Sequence, residues 1–247
     1  MTASGWYIYG IINSNLKAPV DMLGLSEQPL ETLEYKDIGA IVSPSPIFEY
    51  PITRTNTLTH QRVMEMAMTK ADVLPVRFGT VAESKDEIFE NVLKGRYDEI
   101  QMELKRVEKK IELGLKALWP DEQVVYQEIV EENKDICSLR DRLMKSRNVR
   151  QREQMRLGEK VKKALEKKKL KLENRILESF QGLWCEHKRD RLFGDRMIMN
   201  AVFLVNREKE AAFDRAVKRM DQAMGEQIRF KYVGPVPPNN FVELIIN

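Results

Sequence analysis

Residues 121–180 read DEQVVYQEIVEENKDICSLRDRLMKSRNVRQREQMRLGEKVKKALEKKKLKLENRILESF. The stretch holds no proline and a single glycine, Gly158. Val125, Ile129, Ile136, Leu139 and Leu143 follow one another at spacings of 4, 7, 3 and 4. Leu157, Val161, Leu165, Leu172 and Ile176 follow at 4, 4, 7 and 4. Each set falls on one face of a helix. The two sets are separated near Ser146-Arg147-Asn148, which predicts two helices packed antiparallel as a short coiled coil over about 121–181. From Lys145 to Arg175 there are 13 Lys or Arg and 4 Glu, a local surplus of 13 − 4 = +9. The whole chain carries only +3, so the rest carries 3 − 9 = −6. The basic run has two readings: the solvated face of a charged hairpin, or a docking surface for nucleic acid or an acidic protein. It lacks the interleaved aromatics of a nucleic-acid reader, which favours the first.

Upstream, Trp6-Tyr7-Ile8-Tyr9-Gly10-Ile11-Ile12 predicts a strand running into a turn at Asn13-Ser14-Asn15. Leu33–Tyr35 and Ile38–Ser43 predict a strand pair joined near Lys36-Asp37. Pro44, Pro46 and Pro51 then predict a loop. Thr57–Ala71 reads as a helix capped by Thr57 or Thr59, with Val63, Met64, Ala67, Met68 and Ala71 as its apolar stripe. Val73–Val81 is apolar, but Pro75 cannot donate to a ladder, so an edge strand or the beginning of a strand is expected. Ser84 and Glu87 form a capping box opening a helix with Ile88, Phe89, Val92 and Leu93, then Ile100, Leu104 and Val107.

Ile111, Leu113, Leu115 and Ala117 alternate with other residues, a strand ending at Trp119-Pro120. Beyond the hairpin, strands are expected at Leu183–Lys188, Met197–Val205, Ile228–Val233 and Phe241–Ile246, with a helix over Glu208–Met224 and a rigid turn at Gly234–Pro238. The fold class is therefore α+β in two domains. Residues 1–110 form a small α+β sheet domain. Residues 111–247 follow the β-α-β-β-α-β ferredoxin-like order, with the helical hairpin as a long insertion.

The bulk numbers exclude several classes. Hydrophobic content of 43% supports a real core, and a net charge of +3 implies no global electrostatic partner. Cys137 and Cys185 lack metal spacing and read as reduced thiols of a cytosolic protein. No apolar run approaches the roughly 20 residues of a membrane helix, and the N-terminus lacks a signal-peptide pattern. His60 and His187 have no neighbouring ligand type, and no glycine-rich phosphate loop or nucleophile elbow occurs. The chain reads as a non-enzyme without cofactor or metal. Arg77, beside Phe78 in an apolar strand, needs a partner. An internal carboxylate is the expected one, and a ligand or partner protein is the alternative.

Four segments carry a family resemblance. They are Trp6–Ile11, Val73-Leu74-Pro75-Val76-Arg77-Phe78-Gly79-Thr80, Asn200–Val205, and Tyr232-Val233-Gly234-Pro235-Val236-Pro237-Pro238-Asn239-Asn240-Phe241. Together they resemble the gas vesicle protein F/L family (GvpF/GvpL). Val236 replaces the family's common aromatic, and Asn239-Asn240 also departs from its pattern. The resemblance implies a cytoplasmic, vesicle-associated accessory protein of gas vesicle formation. It would bind the hydrophobic shell protein GvpA, act beside other gas vesicle accessory proteins, and limit shell-protein aggregation during nucleation. Candidate contact or motif residues are Pro75, Arg77, Phe78, Gly79, Gly234, Pro235, Pro237, Pro238 and Phe241. A nucleic-acid-binding arm at 145–175 and a ligand-binding ferredoxin-like domain are the rival readings.

Overall fold

The computed structural model describes residues 4–13, 22–46, 49–145, 151–242, 244 and 246. The expected turn at Ser14-Asn15 and the hairpin turn at Ser146-Arg147-Asn148 lie outside them. The chain divides into two compact units. One comprises residues 1–113, 204–207 and 234–247, and the other residues 114–203 and 208–233.

The first unit is built on β1 (Ser4–Asn13). Its side chains from Tyr7 to Ile12 are almost all buried, on both faces, as expected of an apolar, β-branched and aromatic run inside a sheet. β1 pairs antiparallel with β3 (Ile38–Pro46), with a bulge between Ile8 and Gly10. β3 pairs with β2 (Glu31–Tyr35) across the Lys36-Asp37 turn. On its other side β1 pairs with β4 (Val73–Pro75) and β5 (Val81–Ala82). The order β2-β3-β1-β4 puts β4 at the end of the path.

The proline loop expected at 44–51 begins later than its prolines suggest. Pro44 and Pro46 lie within β3, opposite Trp6 and Ser4. β2 reaches only to Val42, so β3 has no second neighbour there and the missing N–H groups interrupt no ladder.

Helix α1 (Arg54–Met68) starts three residues before the expected span. Its cap is Thr53, whose hydroxyl accepts from the Asn56 N–H at 3.2 Å. Val63, Met64, Ala67 and Met68 are its buried stripe. The capping box at Ser84 forms, with its hydroxyl accepting from Glu87 N–H at 3.1 Å. The helix it opens is segmented: α2 (Lys85–Glu87), a wider π-type stretch over Ile88–Lys94, then α3 (Tyr97–Val107) after Gly95. Ile88, Val92, Leu93, Ile100, Leu104 and Val107 join Ile8, Ile11, Ala40, Val42 and Leu74 in one core.

The second unit contains the helical arm and most of a four-stranded sheet. Its strands are β6 (Lys110–Leu118), β7 (Glu186–Arg189), β8 (Met197–Asn206) and β9 (Arg229–Val236), in the order β7-β8-β6-β9. The first arm of the hairpin is two helices, where one was expected. They are α4 (Glu122–Glu132) and α5 (Lys134–Lys145). Asn133 leaves the helical region at φ −119°, ψ 94°, and its amide donates to Ile129 O at 2.6 Å. The return arm is α6 (Gln151–Glu178). Lys168 pairs with Glu128 and Glu132, both at 2.8 Å, and Lys160 pairs with Asp135. As position rises along α6 it falls along α4 and α5, so the arms run antiparallel. Val125, Ile129, Ile136, Leu139, Leu143, Leu165 and Ile176 are buried between or beneath them. Helix α7 (Glu210–Met224) follows β8 and lays Phe213 on Phe180, with ring centroids 4.7 Å apart.

Two further expectations change. The predicted turn at Gly234–Pro238 is entered while β9 is still extended, as far as Val236. The predicted closing strand Phe241–Ile246 gives, among the described residues, one parallel bridge, Leu244 to Val76. Phe241 and Val242 instead close a tight turn, their N–H groups donating to Pro238 O at 3.0 and 3.3 Å. Residues 234–247, grouped with the C-terminal domain in the sequence reading, fall in the first unit, where Val242 and Leu244 enter the core.

Candidate functional site

Two of the motif segments, more than 150 residues apart in sequence, converge in the first unit. β4 and the residues after it supply Pro75, Val76, Arg77 and Phe78. The C-terminal segment supplies Asn239, Val242 and Leu244, and α1 closes the third side with Thr57, His60, Gln61 and Met64. They enclose an open cleft of about 490 Å³.

Six of the eleven residues lining the cleft are apolar, and a buried polar network lies behind them. His60 is 5% exposed. Its Nδ1 lies 2.9 Å from the Tyr7 hydroxyl. That hydroxyl also accepts from the Gly79 N–H at 2.9 Å. The imidazole also hydrogen-bonds to the Val76 backbone. Burial pushes its pKa down to about 4, and the Val76 contact opposes this only in part. Burial likewise raises the Tyr7 phenol well above its ordinary range. Tyr9 stacks on His60 with centroids 5.7 Å apart, and its hydroxyl receives the Leu25 N–H at 2.7 Å. Phe78 meets His60 edge-on at 5.6 Å. The network fixes the shape of the cleft wall.

Gly79 sits at φ +90°, which favours glycine, and this conformation points its N–H at Tyr7. Gly234 at φ +125° has a second reason: a Cβ there would stand 2.8 Å from the Glu112 carbonyl. Pro237, Pro238 and Phe241 are buried and anchor the C-terminal segment, while Pro235 is exposed. Pro75 and Phe78 line the cleft, whereas Gly79, Gly234, Pro235, Pro237, Pro238 and Phe241 shape or anchor what does.

Arg77 departs from expectation. It is exposed at the cleft rim, and no carboxylate among the described residues pairs with it. β4 ends at Pro75, and two residues beyond it Arg77 stands exposed, so its guanidinium reaches solvent and needs no internal counter-charge.

Sequence reasoning missed Glu112. It is 4% exposed, and its carboxylate accepts from Asn240 N at 2.8 Å and Asn240 Nδ2 at 2.6 Å. This clamp holds the Asn239–Val242 turn at the cleft. The sequence carried little signal for it, because β6 also holds Lys110 and Lys116 and Glu112 falls on the side of the alternation that reads as polar. His187 lies elsewhere, stacked on Phe203 at 6.0 Å. No cluster of three metal-ligating side chains occurs among the described residues, and none of their helices is long and apolar enough to cross a membrane.

The sequence model of the gas vesicle synthesis protein GvpL/GvpF family matches residues 5–243. The chain belongs to the GvpL/GvpF family. Gas vesicle protein F of Dolichospermum flosaquae is 25% identical over 244 residues, covering 96% of this chain and 97% of its own. Gas vesicle protein F of a Streptomyces species is 28% identical over 240 residues, covering 96% and 99%. The crystal structure of GvpF from Anabaena sp. PCC7120 superposes with a TM-score of 0.88 at 23% identity, covering 98% of this chain and all of that one. That of GvpF from Microcystis aeruginosa gives 0.83. The mixed α+β fold of the GvpF structures is therefore the fold of this chain, and family membership implies a role in gas vesicle formation.

Proposed function

We propose that this GvpL/GvpF family member is a non-enzymatic accessory protein that binds the hydrophobic shell protein GvpA and limits its aggregation while vesicles nucleate and assemble. One observation carries the reading: part of the Val73–Thr80 motif, the end of the Tyr232–Phe241 motif and the residues just after it meet at one cleft, six of whose eleven lining residues are apolar, with a cationic rim at Arg77. A shell subunit before assembly exposes apolar surface that self-associates. A cleft lined by Met64, Pro75, Val76, Phe78, Val242 and Leu244 offers such a segment a competing apolar surface. Sheet addition along β4 is less favoured, because Leu244 already bridges to Val76 beside it. On this reading the protein works in the cytoplasm at the growing vesicle, beside other gas vesicle proteins.

The architecture fits a binding scaffold. The order β7-β8-β6-β9, with the arm between β6 and β7 and α7 between β8 and β9, supports a ferredoxin-like second domain carrying a coiled-coil insertion. Co-purification with tagged shell protein tests the function. Retention of the chain, reduced by Arg77→Glu with Asn239→Asp, is expected. No retention above an untagged control contradicts it.

A further inference from the structure

The hairpin of the second unit carries a groove that the shell-protein reading does not use. It measures about 800 Å³ and runs along α6 beside the break at Asn133. Its lining includes apolar Ile129, Ala164 and Leu172. It also includes Lys167, Lys171 and Arg175, four residues apart and so stacked on one helix face. All three are exposed, and no carboxylate among the described residues pairs with them. Lys168 shows the contrast. Although part-burial opposes it, hydrogen bonds to Glu128 and Glu132 hold its ammonium above the ordinary lysine value, and its charge is already met.

We infer that this groove docks an acidic amphipathic helix of a partner protein. Its apolar face would lie on Ala164 and Leu172, over the buried Ile129, with carboxylates one turn apart against Lys167, Lys171 and Arg175. The step between successive cations, four residues at about 1.5 Å each, matches one turn of the incoming helix. The groove lies between helices whose backbone groups are internally bonded, so it offers no ladder to an extended strand. A helix brings its own hydrogen bonds and suits it better. Nucleic acid fits less well. α6 has no aromatic residue on which a base could stack, and Glu132 and Glu178 line the same groove, where they repel phosphates. The same two acids favour a helix whose ends are basic.

Fluorescence anisotropy on the full chain tests this with three labelled probes. One is a helical peptide with Glu at every fourth position and Leu on the adjacent face. The others are a peptide of the same composition in scrambled order and single-stranded oligothymidine. The patterned peptide is expected to bind about tenfold more tightly than either. Lys167→Glu with Lys171→Glu and Arg175→Glu, all at exposed positions, weakens it by about tenfold or more. Lys162→Glu with Lys163→Glu, exposed but outside the groove, weakens it by less than about threefold. Several results overturn the proposal: no binding of the patterned peptide, equal binding of the scrambled one, oligothymidine binding as tightly, or equal effects of the two sets of reversals. None of these residues belongs to the cleft, so this proposal and the shell-protein reading fail separately.

Discussion

Tyr7 shows how one hydroxyl organises a site. It accepts from the Gly79 N–H and shares a second hydrogen bond with His60 Nδ1, inside a buried aromatic cluster. Tyr7→Phe keeps the ring but leaves a buried imidazole nitrogen and a backbone N–H unpaired. It should cost about 1–3 kcal/mol in urea unfolding, with little change in far-UV signal. His60 predicts a pH dependence. Its folded pKa of about 4 lies below the ordinary 6.5, so the unfolded chain binds more protons between those values. The contribution of neutral His60 is full above pH 6.5 and is lost as pH falls towards 4. It amounts to about 3 kcal/mol at most. Unfolding midpoints across that window should fall for the wild type, and less for His60→Gln. Gly79→Ala meets no side chain but forces an L-residue to φ +90°, costing about 1–2 kcal/mol.

Among the elements, the C-terminal turn is clamped by the Glu112 carboxylate. Glu112→Ala removes both acceptors of Asn240, bonds to a charged group worth about 1.5–3 kcal/mol each. Hydrogen exchange at Phe241 and Val242 should quicken by roughly 10–100-fold while β1 stays protected. Much of this level was legible in the sequence. The i, i+4, i+7 recurrence of Val125 to Leu143 marks a buried helix face because burial selects that period, and all five residues are buried. The split at Asn133 was not legible, since a lone Asn in a charged run is tolerated in helices and its bond back to Ile129 depends on the fold. Pro44 and Pro46 misled for a related reason. A proline ends a strand only where its N–H is needed, and that depends on where the neighbouring strand stops. Glu112 was hidden because a buried carboxylate becomes intelligible only when its donor, 128 residues away, is seen beside it.

For the whole molecule, the sequence motifs and the site coincide only after folding. Val73–Thr80 and Tyr232–Phe241 carry the family likeness, yet nothing in either alone describes a cleft. Chain folding brings part of each against α1 and leaves Arg77 at the rim. The central claim is that this cleft keeps shell protein from self-association. It is tested most directly by light scattering as shell protein is diluted from denaturant, alone, with this chain, or with the Arg77→Glu, Asn239→Asp variant. Both substituted positions are exposed, so the variant should fold normally. The account predicts that the wild-type chain suppresses scattering at near-equimolar ratio and that the variant does so much less. Equal scattering with and without the wild-type chain, or equal suppression by the variant, would contradict it.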